Sequence, residues 1–417
     1  MCISRATYRQ AVLITLCVLW LCFSFSLKDV WGKTLYKEGV RLQDPKPALL
    51  SGFGLAVAIE SDSIVVGAPH AAGPRGQAGR AFLFDRETGG VKYTFQHSSP
   101  IGDDLFGLSV GLTDQFVIVG APRAMGKTQR AAGKVSVFDR KNGRHVRDFV
   151  SPSPTASVFG HAFATHGPWL AVGDPGAGSS TQFEVGEVYV FELGTGRLVR
   201  TIVAPEAPRG KANGFGHALA FLGSSLAVGA PLGGGTPLDQ GLVYLFSIQN
   251  GTLLKSIQST KPHTNEYFGW SLASDEGALL IGALGRGLNA QTQAGAAYVF
   301  SNQGEFQMTL ELSNPQKDDH FGETVALMND YLVVAAPGHD AAGTDAGTVF
   351  LFNRQTGLLR RIMSNPSENT GVADLFGLSL GAIGEHLVVG APYGDLPEMP
   401  DSGEVHQFSF QFKDNLN

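Results

Sequence analysis

The chain has 417 residues, of which 54 are glycine, three are cysteine and only 16% are charged. Its formal net charge of −6 comes with no basic stripe, which excludes a phosphate-tracking nucleic-acid binder. A chain this long could hold two or three ordinary domains, but its glycine content favours many short strands and tight turns, and no long segment carries a helical period.

Residues 1–26 differ in kind from the rest. Arg5 and Arg9 precede a charge-free, largely apolar stretch from Ala11 to Leu27, and Ser24-Phe25-Ser26 supplies small residues where a signal peptidase reads. The expectation is a signal peptide, with an uncleaved signal anchor as the alternative, and an exported body spanning residues 27–417. Cys2, Cys17 and Cys22 all lie in this leader, so the body contains no disulfide and depends on packing. Without the two leader arginines, 29 basic side chains face 37 acidic ones.

The first element of the body is a short stretch, Leu35 to Leu42, that belongs to no repeat. A unit then recurs. Its Phe-Gly glycine falls at Gly54, Gly107, Gly160, Gly216, Gly269, Gly322 and Gly377, in steps of 53, 53, 56, 53, 53 and 55 residues. A constant period of this size belongs to solenoids, propellers and arrays.

Within each unit the first segment alternates, as in Leu55-Ala56-Val57-Ala58 and Trp270-Ser271-Leu272-Ala273, with a large apolar third position and small second and fourth positions. Period two predicts a strand, and the row of small residues fits inner strands converging on an axis. The second segment is a continuous apolar run, such as Ile64-Val65-Val66 or Leu387-Val388-Val389, which demands burial on both faces. Proline stops it in six of the seven units, Leu284 being the exception. A third strand follows a glycine, as in Gly186-Glu187-Val188-Tyr189. Next comes a Thr-Gly or Asn-Gly hairpin turn and a more polar fourth strand suited to an exposed edge.

Four strands per unit and seven units predict an all-β fold: a seven-bladed β-propeller of four-stranded antiparallel blades. The last unit ends near Phe412 without a fourth strand. The spare N-terminal stretch is expected to supply it and close the ring, burying Leu35, Val40 and Leu42.

The Phe-Gly…Gly-Ala-Pro units resemble the FG-GAP repeat family over about residues 34–412. That family includes the N-terminal propeller of integrin α subunits and many exported proteins, so the resemblance implies a binding or interaction module. It also implies calcium in the turns between first and second strands. Here the Phe-Gly glycine and the Gly-Ala-Pro position are 13 residues apart in every unit, which leaves no room for an ion-wrapping loop. No cofactor is therefore expected, and calcium is left to other loops. No leg-like segment or C-terminal span follows, so an integrin α subunit is not expected.

Longer connections, between strands two and three and before each Phe-Gly, share one face, where binding usually resides. Around the axis of that face the residue after Phe-Gly changes character to His161, His217, Trp270 and Glu323 in four neighbouring units. These could hold a ligand or a transition metal, or they could be hydrogen-bonded packing residues. Tyr393 and Asp395, in the last unit's loop, join them as candidate ligand contacts. Asp340, Asp345, Asp395 and Asp401 are weak metal candidates, and the acids before Phe-Gly (Asp103-Asp104, Asp318-Asp319, Asp374) read as turn caps or an acidic ion site. The other histidines scatter without pairing. Asn250-Gly251-Thr252 is a glycosylation acceptor if the source is eukaryotic. No catalytic motif occurs. The expectation is a non-catalytic module that recognises an extracytoplasmic protein or carbohydrate; the alternatives are a glycan-acting hydrolase or lyase, or a structural subunit of a surface assembly.

Overall fold

The computed structural model describes residues 35–411 except 74–75, 101, 126–131, 154–156, 179–184, 206–212, 235, 289–290, 368–371 and 397–398. The predicted leader, residues 1–26, lies outside the described residues. The described residues fall into two units. One comprises the chain ends, where the rings of Tyr36 and Phe410 stack with centroids 6.0 Å apart. The other, Lys37–Ser409, is a ring of seven antiparallel sheets.

Blade 1 shows the pattern: Ala56–Ile59 innermost, then Ser63–Ala68, Arg80–Asp85 and Val91–Phe95 outward in sequence order. The second strand is apolar on both faces because both are covered, and Ile64, Val65 and Val66 are fully buried. The hairpin between third and fourth strands carries a register shift at Leu83/Phe84, and the same irregularity recurs in blades 2 to 6. Such a shift bends the outer strand locally, and that strand exposes apolar as well as polar side chains, as at Val91, Leu253 and Ile362. The first strands touch their neighbours all round, and Ser379–Ile383 of blade 7 meets Ala56–Ile59 of blade 1.

Phe-Gly and Gly-Ala-Pro make one contact seen from two blades. Within a blade, the Phe-Gly amide donates to the Gly-Ala-Pro glycine carbonyl, as from Gly54 to Gly67 (3.0 Å) and Gly377 to Gly390 (2.9 Å). Between blades, the next Phe-Gly carbonyl rests on that same glycine. A Cβ on Gly67 would lie 1.9 Å from Gly107 O, and one on Gly390 would lie 2.1 Å from Gly54 O. The Phe-Gly glycines all take positive φ, from 86° to 98°, which only glycine adopts without strain. Each phenylalanine of the pair is fully buried, and Phe53 packs edge-on against Phe84 at 5.9 Å. The small hydroxyl at the second position of the first strand adds a bond across the seam: Ser109 to Gly160 O, Ser271 to Gly322 O and Ser379 to Gly54 O, at 2.6–2.8 Å.

Blade 7 has three strands of its own: Ser379–Ile383, His386–Ala391 and Glu404–Gln411. The N-terminal segments Leu35–Glu38 and Leu42–Gln43 pair with the last of these and complete the sheet, as expected. Leu42 sits opposite Val405, Gly39 N donates to Gln407 O (2.8 Å), and Gln407 Nε2 donates to Val40 O (2.9 Å). Leu42 is buried, but the expected burial of Val40 is not found: it is 42% exposed, since its side chain lies along the Gly89 turn of blade 1. The Leu35 side chain lies outside the described residues.

Candidate functional site at the loop-bearing end of the axis

The bond from each Phe-Gly amide to the carbonyl at the Gly-Ala-Pro glycine position, held by Ala335 in blade 6, ties the start of the first strand to the end of the second. Both long connections therefore leave from that end, and the tight turns leave from the other. The residue after Phe-Gly sits at the loop-bearing end beside the axis. There its amide closes a small turn, as from His161 to Val158 O and from His217 to Gly214 O (both 3.0 Å).

Three of the four expected axial residues are brought together. The His161 and His217 rings lie 4.8 Å apart, and the His217 and Trp270 rings 4.3 Å apart. Tyr267, three residues before Trp270, adds its ring at 6.1 Å. His217 Nδ1 lies 3.1 Å from Trp270 O. A carbonyl can only accept, so Nδ1 carries the proton and Nε2 keeps its lone pair. Burial lowers the pKa of His161. Burial and the neighbouring His161 bring His217 down to about 3, against the opposing bond to Trp270. Both rings are therefore neutral at physiological pH, and the row is an uncharged aromatic strip. The fourth residue, Glu323, turns away to His320, whose Nδ1 lies 3.4 Å from its carboxylate and whose pKa that bond raises.

The other sequence candidates sit apart from this row. Asp395 accepts the amide of Asp401 (2.9 Å), and Asp340 accepts that of Asp345 (2.8 Å), so each pair braces its own loop. Among the described residues, no hydrogen bond or ring contact joins half-buried Tyr393 to the axial rings. Asn250 is exposed at a hairpin tip, where its Oδ1 accepts from the Thr252 hydroxyl (2.8 Å). Of the acids before Phe-Gly, Asp104, Asp319 and Asp374 are buried while Asp103 is exposed and Asp318 half-exposed, and Asp319 caps Gln316 N at 2.6 Å. Among the described residues, no group of three or more His, Cys, Asp or Glu side chains is placed to hold a metal.

Sequence reasoning missed a set of buried polar clusters at the blade seams. In blade 3, Asp174 replaces the alanine of Gly-Ala-Pro and accepts from Ser151 Oγ (2.8 Å) and Val158 N (3.0 Å). Burial raises its pKa to about 6 despite those bonds. Beside it, Tyr189 donates to Glu187. In blade 5, fully buried Glu266 takes Tyr298 OH (2.5 Å) and Arg286 Nη1 (3.1 Å). In blade 7, Glu404 meets His406 Nε2 (3.0 Å), Arg41 Nη1 (3.2 Å) and Ser367. The expectation that the remaining histidines are unpaired is corrected here, because His406, His320 and His145 each face a carboxylate. The only sequence sign was a charged residue where the repeat calls for a small one, as at Asp174.

At the opposite end of the axis an open cavity of about 720 Å³ is walled by Phe221, Leu272, Val325 and Leu380, with His166 and Glu276 in its lining.

A family model for the FG-GAP repeat matches residues 260–300 and 305–352, which cover blade 5 and the first three strands of blade 6. The same amide-to-carbonyl bond recurs in all seven blades, and the close glycine approach in all but blade 6. The chain is a seven-bladed propeller in which residues 260–352 match FG-GAP repeats. No curated protein is found to match it. The FG-GAP resemblance implies calcium in the turns between first and second strands, but the turns of blades 1 and 5 do not fit it. Glu60 N bonds Ser63 O across the blade 1 turn (2.9 Å), and Asp62 is taken by Arg140 and Lys92. In blade 5, Asp275 accepts two backbone amides and both nitrogens of Arg354. Neither carboxylate is left to join the six to eight oxygens that calcium requires.

Proposed function

We propose that this FG-GAP propeller is an exported, non-catalytic recognition module that holds a protein or carbohydrate at the loop-bearing end of its axis. One observation carries the reading: the row of His161, His217 and Trp270, held in line by the blades and uncharged at neutral pH. Flat neutral rings with a polar edge suit stacking on sugar faces or apolar peptide side chains. Their rigid mounting reduces the ordering cost of binding. Export rests on the leader sequence, and the membrane enters only through that leader if it stays attached. The acidic balance argues against nucleic acid. A glycan-acting hydrolase is the second reading, favoured by the raised carboxyl of Asp174. That carboxyl is fully buried with both oxygens bonded, which suits a structural role better.

The test is a glycan array and a surface-protein panel probed with the chain and with Trp270→Ala, Tyr393→Ala and Glu276→Ala. Ligand capture should fall at least about tenfold for Trp270→Ala, the loss of one well-stacked ring (~1.4 kcal/mol), and stay level for Glu276→Ala at the far end. Equal capture by the wild type and Trp270→Ala would overturn the reading. Release of product from a glycan would favour the hydrolase.

A further inference from the structure

We infer that His161 and His217 form a two-imidazole site for a borderline-soft divalent metal such as Zn²⁺ or Cu²⁺, with its remaining coordination positions open toward the loops. Three features on the two rings agree. Two imidazoles sharing one tetrahedral ion at about 2.1 Å place their ring centres roughly 5 Å apart; here the centres are 4.8 Å apart with planes inclined at 51°. His217 donates Nδ1–H to the Trp270 carbonyl, the outer bond that fixes the tautomer and aims Nε2 in metal-binding histidines. Among the described residues, no protein group bonds His217 Nε2 or either nitrogen of His161. The lone pairs are therefore available, and imidazole nitrogen prefers Zn²⁺ and Cu²⁺ to the oxygen-seeking Ca²⁺.

Glu323 is not a third ligand, because it faces His320. Two protein ligands leave two or more positions for water or for an oxygen or nitrogen donor of a bound partner. This last role rests on the recognition surface proposed above; metal uptake by the chain alone does not.

The experiment is calorimetric titration of the untagged full-length chain with ZnCl₂, CuCl₂ and CaCl₂, alongside His161→Gln/His217→Gln, His166→Gln and Trp270→Ala. The expected result is one Zn²⁺ or Cu²⁺ per chain at a saturable site and no Ca²⁺ there. Binding should be at least about tenfold weaker in the double variant and unchanged in His166→Gln, a histidine at the other end. The electron-spin spectrum of the Cu²⁺ form should show coupling to two imidazole nitrogens, and this readout holds even if the double variant folds poorly. Absence of saturable binding, wild-type affinity in the double variant, or a spectrum without two imidazoles would overturn the inference. Ligand capture that depends on Trp270 but not on added metal would overturn only the metal's part in recognition and leave the surface itself standing.

Discussion

At the residue scale, the repeat is explained by space. Gly67, Gly120, Gly173, Gly229, Gly282 and Gly390 all face the next blade's Phe-Gly carbonyl, with room for hydrogen and nothing more. Blade 6 is the exception: Ala335 stands there, and Thr324 Oγ1 bonds Leu378 O in place of the glycine carbonyl (2.8 Å), so that seam is set differently. Gly67→Ala should therefore cost about 3 kcal/mol through overpacking. Gly194→Ala, with nothing within 4 Å of the new methyl, should stay within about 0.5 kcal/mol of wild type. Urea midpoints of the two variants decide this, and equal midpoints would refute the seam contact. The glycine row was legible because it recurs. Asp174, Glu266 and Glu404 were not, since a single buried acid has no period and its partners lie elsewhere in the sequence. The axial rings were partly legible: their place after Phe-Gly put His161, His217 and Trp270 in one row, but only geometry showed Glu323 leaving it for His320.

At the element scale, the closing strand is held by more than backbone pairing. Burial alone would raise the Glu404 pKa, but His406, Ser367 and Arg41 outweigh it and hold the carboxyl below the ordinary 4.5. A carboxyl depressed in the folded state stabilises above its unfolded pKa, and that stability fades as pH falls through the folded value. Glu404→Gln should thus cost about 1.5–3 kcal/mol at pH 7, the usual range for charge-assisted bonds. The gap from wild type should shrink as pH drops below about 4.5, where Glu404 begins to take up its proton. Urea unfolding at pH 7, 5 and 3.5 measures this, and a gap independent of pH would contradict the arrangement. That the closing strand existed was legible from a count, three strands in the last unit and one to spare. Which of its side chains faced inward was not, because so short an edge strand sets no firm register. Hence Leu42 is buried while Val40 lies against the Gly89 turn.

At the scale of the whole ring, no blade is a self-sufficient core. The buried clusters span neighbouring blades, as where Leu42, Phe53 and Phe84 pack with Val388 and Val405. Every seam, the last included, must therefore be made for the loop-bearing end to hold its row of rings. The blade count was legible from one period repeated seven times. The chemistry of the axis is unevenly distributed, and the repeat alone does not specify it. The most direct measurement is an engineered cross-link at the closing seam. Gly39→Cys and Gln407→Cys suit it, because a Cβ at Gly39 would lie 3.1 Å from that of Gln407, so that a shift of about half an ångström reaches the roughly 3.5–4.5 Å spacing of a disulfide, and the leader's Cys2, Cys17 and Cys22 can be replaced by serine. A closed ring predicts spontaneous disulfide formation within one chain and a gain of about 2–4 kcal/mol in stability, reversed by reductant. Thiols that stay free, or that join two chains, would contradict closure by the N-terminal strand.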